Sequence, residues 1–357
     1  MTPCGIDAAK SEAFAERVLG ILNGGALSLM ISIGHRAGLF DVMSRQGPAT
    51  SAKLAASAGL EERYVREWLG AMVAGSVVEY DAAEGAYRLP PEHAACLTRE
   101  ARPNNLAATA QWIPLLGSVE DEVLACFERG GGVPDSSYER FHEVMAEESD
   151  QTVVAPLCEA ILPLVEGLVA VLTRGGDVLD VGCGSGRALN RMARSFPASR
   201  FTGYDLSVEA VAAARSEAAH HGLSNVRFEV RDVADLKRTA AYDLVTAFDA
   251  IHDQARPAEV LAAIAAALRP DGVFLMQDIH GTSHVEQDAR HPLGAFLYTV
   301  SCLHCMTVSL AAGGAGLGAM WGVESARRML GEAGFSKVEV KTLPHDVMNF
   351  YYLARLG

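Results

Sequence analysis

Apolar residues recur at helical spacing over the first hundred positions. Phe14 to Met43 reads as two helices around Asn23-Gly24-Gly25, with Leu27, Met30, Ile31, Ile33, Leu39 and Phe40 as the apolar face of the second. Ala49 to Leu60 is a short helix ended by Gly59. A helix over 61–74 follows, with Tyr64, Val65, Trp68, Leu69 and Met72 directed inward. Val77 to Tyr80 and Ala86 to Leu89, on either side of Asp81 to Gly85, read as a hairpin. Helix, helix, hairpin is the plan of a winged helix-turn-helix. From 103 to 172 the pattern stays helical, with one clear break at Gly130-Gly131-Gly132-Val133-Pro134-Asp135.

Beyond 173, short apolar runs alternate with helical segments. Val178, Leu179 and Val181 make a strand buried on both faces. Gly182, Gly184 and Gly186 follow at every second position, and a helix begins at Arg187. Strand, glycine turn, helix is how a doubly wound sheet brings bare backbone against a nucleotide-like ligand. A dinucleotide fingerprint would need its third glycine where Arg187 stands, so the spacing argues for a ligand without a pyrophosphate. Asp180 places negative charge beside the turn, which suits a cationic ligand. Arg200 to Asp205 is a second strand ending in an acid, 19 residues beyond Gly186. A carboxylate there accepts hydrogen bonds from both hydroxyls of a ribose. A helix over 207–221, a strand ending in Asp232 and a strand over 242–249 come next. A helix over 257–268 stops at the turn signal Arg269-Pro270-Asp271-Gly272, before a strand over 273–277. A helix over 324–334 leads to two last apolar runs, 336–341 and 349–354.

These ordered motifs resemble the class I S-adenosylmethionine-dependent methyltransferases over about half the chain, roughly 175–280 and the C-terminus. The resemblance implies an α/β, Rossmann-like domain with a seven-stranded, mostly parallel sheet closed by an antiparallel hairpin. It implies S-adenosylmethionine as cofactor and S-adenosylhomocysteine as product. Gly182, Cys183, Gly184 and Gly186, with Asp180 beside them, would then back the methionine part. Asp205 and Leu206 would hold the ribose, and Asp232 and Val233 would flank the adenine. Phe248 would pack beside the cofactor, and Asp249 would orient a substrate or touch the cofactor amine.

With a winged helix in front, the chain is similar to small-molecule O-methyltransferases of the plant and polyketide-tailoring type. That likeness implies three parts: a winged-helix dimerisation domain over 1–102, a helical bridge and active-site roof over 103–172, and the methyltransferase domain over 173–357. The last carries an apolar insertion at 281–323. In the roof, Trp112, His142 and Met145 are candidate acceptor-lining residues, with Tyr138 and Phe141 near them.

Methyl transfer from a sulfonium needs alignment, exclusion of water and, for an alcohol or phenol, a base. His252 is the candidate catalytic base, just past the strand over 242–249, at the carboxyl end of the sheet where ligands bind. His252-Asp253 matches the His-Asp pair of the resembled enzymes, but Gln254 replaces the tryptophan that usually follows. His280, His284, His291, Cys302, His304 and Cys305 supply zinc-type donors without repeated ligand spacing, so no metal is expected.

Charge decides the partners. Lys and Arg number 30 against 44 Asp and Glu, a formal net charge of −14 that repels a phosphate backbone. Within 1–102 the count is 10 against 12, and the helix that would read a groove begins Glu61-Glu62-Arg63-Tyr64-Val65-Arg66-Glu67. A groove-reading helix needs the opposite sign, so no nucleic acid is expected. Seven scattered cysteines suit reduced thiols in a cytoplasm. Val18 to Gly34 and His291 to Val323 lack Asp, Glu, Lys and Arg and read as buried helices, a lid or a subunit interface rather than membrane spans. The expected partners are a small, largely apolar methyl acceptor, with oxygen as the acceptor atom, and a second copy of the chain. Two other functions stay open: a cofactor-sensing winged-helix transcriptional regulator, and a catalytically silent small-molecule-binding protein.

Overall fold

The computed structural model describes residues 5–101, 105–237 and 239–357; the domain edge expected at 102/103 lies outside the described residues. The chain divides into two compact units, Met1–Leu115 and Leu116–Gly357, so the segment 116–172 belongs with the sheet.

In the first unit, α1 (Ala8–Arg36) is one continuous helix, capped by Asp7, whose carboxylate accepts from the Ala9 backbone N–H at 3.1 Å. The break expected at Asn23-Gly24-Gly25 is absent. A glycine within a helix costs about 1 kcal/mol, which a long apolar run can absorb. The helix ends instead at Gly38, whose φ of 71° starts α2 (Leu39–Gln46). α3 (Ser51–Ala58) is capped by Thr50 and closed by left-handed Gly59, and α4 (Glu62–Ala74) follows. Val65, Trp68, Leu69 and Met72 are buried as expected. Tyr64 is 80% exposed, a correction: it lies just outside the helical arc that the other four share. A Cβ on Gly34 would stand 2.5 Å from the Trp68 ring, which lets the indole donate to the Met30 carbonyl at 2.8 Å. The hairpin is shorter than the sequence suggests: β1 (Glu79–Asp81) pairs antiparallel with β2 (Ala86–Arg88), Tyr80 opposite Tyr87. α5 (Pro91–Leu97), α6 (Leu106–Thr109) and α7 (Trp112–Gly117) complete this stretch.

α1 is long and apolar enough to cross a membrane, as is the helical run Gly294–Ala311. α1 is not a buried helix, since Phe14, Leu19, Ile21 and Leu22 are each more than 60% exposed.

The second unit opens with α8 (Glu120–Arg129), α9 (Phe141–Ser149) and α10 (Leu168–Arg174). The sheet strands are β3 (Asp177–Val181), β4 (Arg200–Asp205), β5 (Val226–Val230), β6 (Tyr242–Phe248), β7 (Leu268–Ile279), β8 (Lys337–Leu343) and β9 (Asp346–Arg355). They lie in the order β5-β4-β3-β6-β7-β9-β8, and only β9 runs against its neighbours. α11 (Arg187–Ser195), α12 (Val208–His220) and α13 (Pro257–Ala267) make the crossovers. Arg269 to Gly272 do not form a turn before β7. They bulge within it, since Tyr242 pairs with Leu268 while Leu244 already pairs with Val273. The insertion carries α14 (Val285–Asp288), α15 (Gly294–Val300), a π-helical turn over Ser301–Cys305 and α16 (Met306–Ala311), before α17 (Gly322–Glu332). Strand order reverses between β3 and β6, which opens the crevice where doubly wound sheets bind ligands.

Candidate active site

The glycine turn follows β3 at that crevice. Gly182, Gly184 and Gly186 have φ of 67°, 51° and 71°, a region L-residues rarely adopt. A Cβ on Gly182 would meet Ala250 at 2.5 Å, and one on Gly186 would meet Ala214 and Phe228 at 2.6 and 2.7 Å. A Cβ on Gly184 would meet nothing within 4 Å, so this glycine faces open space. The Gly184 N–H donates to Asp205 Oδ2 at 2.8 Å, while Ser207 N donates to Oδ1 at 2.8 Å. The carboxylate that ends β4 is thus clamped by backbone with lone pairs to spare on both oxygens. Leu206, next to it, is 61% exposed and offers an apolar ledge. Cys183 is half-buried in the turn, its thiol pushed well up by burial and by the charges of Asp180 and Asp205.

Asp180 is buried and accepts from Thr246 Oγ1 at 2.6 Å. Burial outweighs that bond and lifts its pKa to about 7, so the charge expected there is partial at neutral pH. Asp232 caps a short turn through Ala234 N at 2.8 Å and pairs with Arg256 at 2.7 Å, with Val233 buried behind it. Phe248, half-buried, ends β6. Asp249 follows with φ of 50°, and burial, then the charge of Asp278, raise its pKa well above the carboxylate range. Its Oδ1 is buried without a hydrogen-bond partner, as are both amide atoms of Gln277.

His252 lies past that strained residue, 2% exposed. Its Nδ1 is 2.8 Å from Asp278 Oδ1, and its Nε2 is 3.3 Å from Asp253 Oδ1. Asp278 is fully buried near the end of β7, and the same Oδ1 accepts from Trp321 Nε1 at 3.0 Å and Ile279 N at 2.8 Å. Burial alone would lower the imidazole pKa, but the charges of Asp278 and Asp253 prevail and raise it well above its usual value. Asp278 and Trp321 are residues the sequence reading passed over; the visible signal was an acid two residues past the apolar run Val273–Met276.

The three candidate acceptor-lining residues are not all in one unit. Trp112 belongs to the first, whereas His142 and Met145 are on α9 in the second. His142 Nε2 is 3.1 Å from Ser207 Oγ, the cap of α12, which places it by the ribose acid. Arg187, in the slot of the missing glycine, donates to the Ala146 carbonyl at 3.1 Å and so ties the glycine turn to α9. The zinc-type donors of the insertion do not converge. His280 faces His291 with ring centroids 5.2 Å apart, and His284 lies 3.1 Å from Glu324. His304 stacks on Phe141 instead.

Open backbone at Gly184, an exposed ledge at Leu206 and unpartnered buried oxygen at Asp249 fit a ligand with a sugar and a polar amino-acid tail. Residues 172–340 match the family model described as a methyltransferase domain. Residues 25–99 match the Rv2258c-like winged HTH domain. The chain carries a class I S-adenosylmethionine-dependent methyltransferase domain behind a winged helix. The chain is 32% identical over 109 residues to the ubiquinone biosynthesis O-methyltransferase of Neisseria meningitidis. The match takes in 30% of this chain and 45% of that relative, so the chain spans about half the length of the curated relatives it matches. A putative O-methyltransferase from Nostoc punctiforme superposes with a TM-score of 0.73 at 19% identity, over 95% of this chain and 98% of that one. Human N-acetylserotonin methyltransferase in complex with S-adenosylmethionine gives 0.69 at 18%, over the whole of both chains. The mitomycin 7-O-methyltransferase gives 0.68 at 18%, over 98% and 100%. At these identities the three structures are alike in fold.

Proposed function

We propose that this methyltransferase moves the methyl group of S-adenosylmethionine to a hydroxyl oxygen of a small, largely apolar molecule, with His252 as general base. The bound cofactor supplies an electrophilic methyl on a sulfonium. Gly182 to Gly186 cup its methionine end, Asp205 and Leu206 hold the ribose, and Asp232 and Val233 flank the adenine. Phe248 packs beside it, and Asp249 orients the substrate or touches the cofactor amine. Asp180 sets the turn from behind.

One observation carries the base assignment: Asp278 holds Nδ1 of His252 at 2.8 Å. That bond keeps the Nδ1 proton in place and leaves the Nε2 lone pair to accept a proton from the acceptor hydroxyl. Because the two aspartates favour imidazolium, the base form grows as pH rises above the usual imidazole range. His142 and Met145 line the acceptor side. Residues 103–172 and the insertion 281–323 serve as roof, and 1–102 as the dimerisation domain. The exposed apolar face of α1 supports a homodimer, and the acidic α4 supports neither nucleic acid nor a regulator's role. Arg63 and Arg66 are each paired with a glutamate one turn away. Free cysteines suit a cytoplasmic location.

The test is calorimetry with S-adenosylhomocysteine, then a tritiated-methyl screen over phenols, thiols and amines. His252→Ala should leave product affinity intact and cut turnover by about 10²–10⁴. Unchanged turnover removes the base, and no binding at millimolar product removes the enzyme.

A further inference from the structure

We propose that His252, Asp253 and Cys305 form a binding site for one thiophilic divalent cation of the zinc type. Ligating atoms of the three side chains all lie within 4.8 Å of one another. His252 and Asp253 come from the loop after β6, whereas Cys305 closes the π-helical turn over Ser301–Cys305 in the insertion. π-turns inside helices are frequent at functional sites.

The local chemistry supports more than proximity. Asp278 engages Nδ1 of His252, so in the neutral ring the Nε2 lone pair points toward Asp253 Oδ1, 3.3 Å away. Asp253 Oδ1 is itself buried without a hydrogen-bond partner. Two lone pairs facing at that separation need positive charge between them. A proton on Nε2 is one answer and a metal ion is another. Two ligand atoms about 2.0–2.1 Å from a tetrahedral zinc stand about 3.3–3.4 Å apart, the spacing observed here. The sulfur of Cys305 biases the set toward soft ions over calcium or magnesium. Carboxylate to histidine to metal is also the usual outer-shell arrangement at such sites, and Asp278 fills the outer place. Asp253 keeps 24% of its side chain exposed and marks the way in, while His252 and Cys305 are almost fully buried. Three protein ligands leave a fourth position for water or a small ligand.

Binding exchanges the Cys305 thiol proton, and the Nε2 proton of His252 where the ring is imidazolium, for the metal and releases them to solvent. The proposal does not depend on methyl transfer, since the same three donors would bind an ion in a silent protein. Where His252 does act as base, the ion competes for Nε2 and stops turnover.

The experiment adds Co²⁺ to the full-length protein stripped with a chelator. The expected result is one Co²⁺ per chain with tetrahedral d–d bands and a thiolate-to-cobalt charge-transfer band, both bleached by Zn²⁺. Cys305→Ser should abolish the charge-transfer band, Cys302→Ser should keep it, and Asp278→Asn should weaken affinity about 10–100-fold. Retained S-adenosylhomocysteine binding by Cys305→Ser checks its fold. If that variant does not fold, ¹¹³Cd resonance of the unmutated chain decides: one line shifted by a single sulfur ligand supports the site, and an oxygen-only shift overturns it. Absence of the charge-transfer band from the unmutated chain, or its survival in Cys305→Ser, also overturns the site.

Discussion

Replacing Asp278 by Asn tests the proposed base, His252, and its support together. The change keeps the volume and removes the charge beneath His252. One oxygen of Asp278 takes three donors, from His252 Nδ1, Trp321 Nε1 and the Ile279 backbone. An asparagine oxygen can still accept from the neutral ones. What is lost is the charge-assisted part of the His252 bond, about 1–1.5 kcal/mol, the surplus of a hydrogen bond to a charged group over a neutral one. At about 1.4 kcal/mol per tenfold, the plateau rate should fall about 5–15-fold. The pH profile should move as well. His252 is pushed down by burial and further up by Asp278 and Asp253, with Cys305 and its neighbour His304 on the insertion side and Asp249 behind. Its folded pKa is raised, so its contribution to stability is complete below about 6.5 and is lost as pH rises through the folded value. In Asp278→Asn the upward push weakens, so the rising limb of kcat/KM against pH should shift to lower pH. The loss of thermal stability between pH 6 and pH 9 should shrink too. The assay is methyl transfer across that range, with unfolding temperatures at both ends. A plateau rate and midpoint equal to the wild type would refute the role of Asp278.

Three further outcomes follow. Asp205→Ala should weaken S-adenosylhomocysteine binding by about 1–3 kcal/mol in calorimetry, through hydrogen bonds lost to a charged group and a loosened Gly184 N–H. Gly182→Ala combines a φ of 67° with a 2.5 Å approach to Ala250, so it should destabilise the fold by at least about 1–3 kcal/mol in denaturant unfolding; Gly184→Ala, with open space around it, should cost less stability and more cofactor affinity. A double change of Leu19 and Leu22 to Glu on the exposed face of α1 should turn a dimer into a monomer by light scattering, with the sheet domain still binding product.

The glycine turn and the acid ending β4 were legible because their causes are local: positive φ at fixed positions and an acid where a strand stops. The alternation of strands and helices was legible through the same local signals, whereas the seven-stranded sheet was implied by the family resemblance and its strand order was read only from the structure. The missed features depend on contacts between distant segments. α1 runs straight through Asn23-Gly24-Gly25 because two glycines lower helix propensity without forbidding it. Tyr64 carries an inward period yet stays exposed, since α4 buries only one arc against α1 to α3. The zinc-type donors of the insertion scattered because Gly281 to Val323 folds as several short helices with different facings.

The proposed base shows the limit most sharply. His252 was found from its place after a strand, but its character is set by Asp278, 26 residues on, and by Cys305, 53 residues on. Parallel pairing of β6 with β7, Phe248 opposite Gln277, delivers Asp278 beneath the loop that holds His252. The π-turn delivers Cys305 to its other side. A strand-end histidine is therefore a position that sequence can supply, whereas its proton affinity and the proposed metal site beside it depend on the sheet register and on one helical irregularity.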